Sequence, residues 1–256
     1  MSYKFFVLEK DNNIYRLIIN APKSLNSLST ELLNDFEKII DEISKENVKV
    51  LIITGIEKSF VAGADIAEMK EMNYQQALDY AKLGHRVFSK IEQAPFITIA
   101  AINGYALGGG LELALACDIR IASKRAKLGQ PEVSLGIIPG FGATQRLSRL
   151  IGVSLAKYVI FSGDTLKAEE AEKMGIVVKV TEPEELIDEA KKIALNIISK
   201  SFNAVIIAKK AIEQGIEMPK YEALKTEEIL FASCFTHNDQ KNGMSAFIER
   251  KKPNFE

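Results

Sequence analysis

An α/β layered core followed by an all-helical C-terminal region is the fold class this chain predicts, on three observations. Runs rich in β-branched and apolar residues alternate with stretches of helical spacing as far as about Val180. Beyond that point four helical stretches follow one another with no strand between them. The 256 residues, 47% apolar and 26% charged, suit one large globular domain, or a core with a small appendage.

Residues 4–10 and 14–20 read as two strands, and Asp11, Asn12 and Asn13 between them have the turn chemistry of a hairpin. The loop APKSLNSLS ends at Ser29, a plausible N-cap. Leu32, Leu33, Phe36, Ile39, Ile40 and Ile43 then keep helical spacing to about Ser44. VKVLIIT (48–54) predicts a buried strand, and 55–63 a loop. A second amphipathic helix spans about 74–91, and PFITIAAI (95–102) is another buried strand. A glycine turn, a helix holding Glu112 and a strand at 118–122 follow. Thr181 with Glu184 predicts a capping box, with Pro183 in the first turn. The residues 184–200, 202–214, 221–235 and 239–251 read as helices, to be packed on the core or on another subunit.

Charge is balanced, with 33 basic against 34 acidic residues, which leaves no footprint for nucleic acid. The start, MSYKFFVLEK, has neither a secretory apolar region nor an arginine-rich transit pattern. Cys117 and Cys234 lie far apart in apolar helical patterns and read as buried thiols of a reducing compartment. The weakly charged run 95–111 is no membrane span, since Asn103-Gly104 and three glycines interrupt it and Glu112 follows. A cytoplasmic protein is the expectation.

The chain centres on 103–140, NGYALGGGLELALACDIRIASKRAKLGQPEVSLGIIPG. Strand, glycine turn and helix in that order place free N–H groups at a helix start, where negative charge is stabilised. Glu112 sits in LELALAC, whose neighbours want to be inside, so it needs a partner or a task. Glu132 follows in GQPE. Two carboxylates beside an anion-stabilising backbone suggest acid–base chemistry on an activated carbonyl compound. The plainer alternative is a tight turn at Gly108-Gly109-Gly110 with a surface Glu132.

Other chemistries fall away. His85 and His237 are the only histidines, His85 among Leu83, Val87 and Phe88, and there is no CxxC, so the usual zinc sets are missing. No serine stands in G-x-S-x-G and no GxxxxGK[ST] occurs. The glycine triplet does not continue as GxGxxG, and Gly140-Phe141-Gly142 has Gln145 where a third glycine belongs.

NAPKSLNSLS, SFVAGADIAEM, NGYALGGGLELALACDIRIAS, KLGQPEVSLGIIPGFGATQRL, KAEEAEKMGIV and GMSAFIERKKPNF occur in this order. Through them the chain resembles the enoyl-CoA hydratase/isomerase (crotonase) superfamily over essentially its whole length. Within it the pattern is most similar to the short-chain hydratases, including the 3-hydroxybutyryl-CoA dehydratases. The resemblance implies a crotonase-like spiral of ββα units over 1–195 and a helical trimerisation region over 196–256. It also implies a homo-oligomer, a trimer or a dimer of trimers. By motif position it makes Ala64 and Gly109 the oxyanion-hole donors and Glu112 and Glu132 the catalytic carboxylates.

Lys23, Lys58, Ala62, Asp65 and Ile66 would lie along the coenzyme A path, with Phe247 and Arg250 reaching the nucleotide end. Gly140 would line the site or orient a carboxylate through its backbone. Gln130 would hydrogen-bond a carboxylate, or else be only a turn residue before Pro131. The chain departs from the family pattern at Ala67, where many hydratases carry a basic residue, and at Arg250, where some carry lysine. The implied activity is reversible syn hydration of a short trans-2-enoyl-CoA, an acyl-CoA substrate that brings its own coenzyme A. No metal, separate cofactor, nucleic acid or membrane is then called for. An enoyl-CoA isomerase is the nearest rival, and a non-catalytic RNA-binding relative the rival of another class.

Overall fold

The computed structural model describes residues 3–255. The hairpin β1 (Phe6–Asp11) and β2 (Ile14–Ile19) opens the chain, and α1 (Thr30–Ile43) follows. Ser29 caps α1 by accepting the Leu32 N–H at 3.1 Å, and the six apolar residues named from its spacing are the ones it buries. Next come β3 (Val50–Gly55), β4 (Ser59–Val61), α2 (Ile66–Met69) and α3 (Tyr74–Glu92), which a reciprocal Asn73/Gln76 capping box starts. Then follow β5 (Ile97–Ile102), β6 (Tyr105–Leu107), α4 (Gly109–Leu115), β7 (Ile119–Ser123) and β8 (Lys127–Gly129). The order continues with α5 (Ala143–Ile151), α6 (Val153–Ser162), β9 (Thr165–Lys167), α7 (Ala168–Lys173) and β10 (Lys179–Thr181).

Two sheets result. The larger has the order β1-β2-β3-β5-β7-β10, parallel except at the β1/β2 hairpin. The smaller has the order β4-β6-β8-β9, parallel except at β8/β9. β3, β5 and β7 each send the chain directly to the next strand in the smaller sheet. The repeated unit is therefore strand, strand, helix, and its successive copies advance both sheets together. This is the α/β spiral of ββα units that the resemblance implies. The core draws on both sheets and the helices packed against them, with Leu17, Phe36, Phe60, Phe88 and Phe96 fully buried.

The structure corrects three expectations. Residues 55–63 and the glycine turn are not simply loop, because β4 and β6 lie there. Three-residue strands are too short to carry a two-residue period. Residues 143–162, given no element above, form α5 and α6. Thr181 does not cap a helix: it is the last residue of β10, paired with Ser123, and among the described residues its Oγ1 has no partner. A 3-10 turn at Pro183–Glu185 intervenes, and α8 (Leu186–Ile198) starts after it.

The chain divides into two units between Lys191 and Lys192. The second holds the end of α8, then α9 (Phe202–Gly215), α10 (Lys220–Ser233) and α11 (Asn238–Ile248). In it α9 packs on α10, and the Ser201 hydroxyl donates to Asp239 Oδ2 at 2.7 Å, joining the start of α9 to α11. Neither cysteine is in a disulfide, and Cys117 is buried while Cys234 is only half-buried. No helix among the described residues is long and apolar enough to cross a membrane.

Candidate active site

The smaller sheet sets the site. β4, β6 and β8 are parallel neighbours, so the segments leaving their C-terminal ends emerge side by side. From β4 comes Ala62-Gly63-Ala64, from β6 Gly108-Gly109, and from β8 Gln130 and Glu132. Residues scattered over 70 positions of sequence thus converge without any long loop.

Gly108 makes a strained junction. Its φ of 51° and ψ of −121° lie where a side chain is strained, and its N–H donates to the Gly129 carbonyl at 2.9 Å. A Cβ there would stand 2.9 Å from Glu132 Oε1, so glycine lets the start of α4 and this carboxylate meet. Gly109 is the first residue of α4, and its N–H has no intrahelical partner. Ala64 is framed by Leu28. The Leu28 N–H donates to the Gly63 carbonyl at 2.9 Å, and the Asp65 N–H to the Leu28 carbonyl at 3.2 Å. The Tyr80 hydroxyl also donates to that carbonyl. Among the described residues no acceptor takes the N–H of Ala64 or of Gly109. Both residues line a cavity of about 640 Å³ with Glu112, Glu132 and an apolar wall that includes Met69, Met72, Tyr80, Leu135 and Ile138.

Glu112 is only 1% exposed. Its Oε1 accepts the N–H groups of Phe141 at 2.8 Å and Ala143 at 2.9 Å. Burial pushes its pKa up, while these backbone donors and the Arg146 charge hold it back. Glu132, 9% exposed, is pushed up to about 7, first by burial and then by the charge of Glu112. The fully buried Gln130, its amide turned as its neighbours require, donates from Nε2 to Oε1 and Oε2 of Glu132 at 2.8 and 3.0 Å. Burial of both and the charge of Glu112 acting on Glu132 disfavour two ionised carboxylates facing one cavity, the condition an acid–base pair needs.

The remaining sequence-named residues divide. Ala62, Ile66 and Gly140 line the cavity, whereas Lys23, Lys58 and Asp65 do not. The Asp65 carboxylate caps α2, accepting the Glu68 N–H at 3.1 Å, and Lys58 lines a separate groove with Tyr105 and Lys127. Phe247 and Arg250 belong to the second unit, both exposed. The backbone donors to Glu112 are not Gly140 but Phe141 and Ala143, just beyond it. A backbone donor has no residue signature, so only the GFGATQRL motif as a whole pointed to this segment. Tyr80, Phe141 and Arg146 were missed too, for each looks like an ordinary apolar or surface helical position. Among the described residues no three His, Cys, Asp or Glu side chains gather as metal ligands.

Comparison with known proteins agrees in sequence and in structure. The family model for enoyl-CoA hydratase/isomerase matches residues 9–256. The short-chain-enoyl-CoA hydratase of Clostridium acetobutylicum is 49% identical, over 96% of this chain and 95% of that one. The crotonyl-CoA hydratase of Syntrophomonas wolfei is 46% identical, over 100% and 99%. Among solved structures, an enoyl-CoA hydratase from Bacillus anthracis superimposes with a TM-score of 0.94 at 39% identity, covering 98% of this chain and 99% of that one. One from Geobacillus kaustophilus gives 0.96 at 34% identity, covering 100% and 98%.

Proposed function

The chain belongs to the enoyl-CoA hydratase/isomerase family, and on that premise we propose that it is an enoyl-CoA hydratase. It adds water, reversibly and syn, across the C2=C3 bond of short trans-2-enoyl-CoA thioesters such as crotonyl-CoA. One observation carries this reading: two buried carboxylates with raised pKa values share a cavity with two unpartnered N–H donors.

The thioester oxygen lies between the N–H groups of Ala64 and Gly109. As water attacks C3, the C2=C3 electrons move toward the thioester and negative charge gathers on that oxygen, so the two donors act most strongly in the transition state. Oε1 of Glu112 is engaged by Phe141 and Ala143, which leaves Oε2 to take the proton from the attacking water. Glu132, protonated through its raised pKa, delivers a proton to C2. The water oxygen ends on C3 and a proton on C2. Glu112 has gained a proton and Glu132 lost one, and exchange with solvent restores the pair.

Ala62, Ile66 and Gly140 give the coenzyme A thioester its path along the cavity, with Lys23, Lys58, Asp65, Phe247 and Arg250 as further candidates toward the nucleotide. Coenzyme A arrives with the substrate, and no separate cofactor enters the scheme. We further propose a homo-oligomer built through the C-terminal helices and a cytoplasmic location, suited to two cysteines that form no disulfide.

The test is the hydration of crotonyl-CoA by Glu112→Gln and Glu132→Gln. Each should lose about 10²–10⁴-fold in rate while remaining folded by circular dichroism. Near-full activity in either removes the two-carboxylate mechanism. A 3-enoyl-CoA offered in parallel should turn over far more slowly, and a preference for it would make the protein an isomerase. Because Glu132 must enter protonated, kcat/KM for hydration should fall as pH rises past about 7.

A further inference from the structure

We propose that Arg146, on α5, is a positioning residue for the Glu112 carboxylate, acting through the Phe141 carbonyl and anchored by Glu92 of α3. The proposal rests on the hydratase reading above. The Arg146 side chain is 15% exposed, and its guanidinium spends three donors in two directions. Nε and Nη2 form a fork on Glu92, to Oε1 at 3.0 Å and to Oε2 at 2.8 Å. Nη1 turns the other way and donates to the Phe141 carbonyl at 2.9 Å.

The peptide segment so gripped is the one that holds Glu112. The N–H groups of Phe141 and Ala143 both point to Glu112 Oε1, while the carbonyl of Phe141 points to Arg146. Carboxylate and guanidinium therefore clamp three residues of backbone from opposite sides. Gly142, between the two donors, has a φ of 118°, and a Cβ on it would stand 2.3 Å from Nη1. Guanidinium and backbone are in contact there with no room for a side chain.

An ion pair needed only to fasten α5 to α3 would be complete with the fork to Glu92. The third donor is what a purely structural pair leaves unexplained. It ties the carboxylate's support to a long helix, which limits how far Glu112 can drift. The charged groups facing Arg146 are Glu92 and His85 from α3 and Glu112 from α4. Burial and the Arg146 charge hold His85 below the usual histidine range, so His85 adds no positive charge at neutral pH. The Arg146 charge in turn favours the ionised form of Glu112, the form that must accept the proton from water.

The test measures pH profiles of crotonyl-CoA hydration for the full-length protein and its Glu112→Gln, Arg146→Met, Arg146→Lys and Glu92→Gln variants. An inactive wild-type protein would fail the hydratase reading and take the proposal with it. With wild type active and Glu112→Gln inactive, the arginine variants decide alone. Arg146→Met should lose about ten- to hundredfold in kcat, as a displaced catalytic group does. Its KM should move less than about threefold, the mark of an interaction acting on chemistry rather than binding. The acid limb of its kcat/KM profile should shift to higher pH, because Glu112 has lost a positive neighbour. Arg146→Lys keeps the charge without the fork, so its acid limb should stay in place and its kcat should fall less. Wild-type kcat and acid limb in Arg146→Met overturn the proposal. So do equal losses in the two arginine variants with neither limb moved. Should Arg146→Met not fold, Glu92→Gln decides, since Glu92 does not line the cavity. A lowered kcat with the acid limb displaced to lower pH supports the proposal, and wild-type values for both overturn it.

Discussion

At Gly109 the proposed chemistry depends on a backbone atom, and a substitution can isolate it. Gly109→Pro removes the N–H, while Gly109→Ala keeps it. Both add a Cβ, which would lie 2.9 Å from a Leu28 methyl and 3.3 Å from the Phe141 ring. The shared crowding cancels in the comparison, because the end of the leucine side chain can shift. Proline is tolerated at a first helical position, so folding should survive in both. Turnover of crotonyl-CoA should be about 10²–10³-fold lower in the proline variant than in the alanine variant, the cost of one oxyanion donor. Equal rates would reduce Gly109 to a tight turn. Gly108 beside it has another task. Its absent side chain makes room for the Glu132 carboxylate, a role that three consecutive glycines in a sequence do not separate from that of Gly109.

α3 shows how one element supports the site along its whole length. It gives Ala77, Tyr80 and Ala81 to the cavity wall, Gly84 to Phe141 and Glu92 to Arg146. The Phe141 ring stands edge-on to Tyr80 and Phe88, at 5.1 and 5.6 Å between centroids, directly over Gly84. A Cβ on Gly84 would fall 2.2 Å from that ring. Gly84→Ala should therefore push Phe141 aside and loosen its N–H from Glu112. Overpacking of this kind costs about 1–3 kcal/mol in unfolding experiments, and kcat should fall with it. A variant as stable and as active as wild type would mean that Phe141 has slack. The long elements were legible beforehand, because α1 and the strands at 50–55 and 97–102 repeat or sustain an apolar pattern over six residues or more. The smaller sheet was not, since each of its strands has three residues. In the site, Glu112 was conspicuous as a charge within an apolar run. The donors that hold it were silent because they are backbone, and the Thr181 cap was misread because a strand pairing there outweighed a local capping pattern.

For the whole molecule the telling feature is an inversion in the second unit. α9, α10 and α11 bury fully only Lys209 and Asp239, while Phe231, Phe247 and Ile248 are 65%, 84% and 79% exposed. Single exposed apolar residues are ordinary, but helices that hide a lysine and an aspartate while showing phenylalanines present an interaction surface. The homo-oligomer proposed above would cover this apolar surface. Size-exclusion chromatography with light scattering should give a mass of at least three chains for the wild-type protein. Phe231→Glu and Phe247→Glu each place a charge where an interface would have to desolvate it, so each should lower that mass. Both changes sit on exposed positions of one chain, so the helical content of each variant should survive by circular dichroism. A wild-type protein running as one chain at micromolar concentration would end the oligomer reading. An unchanged mass in both variants would move the interface away from α10 and α11.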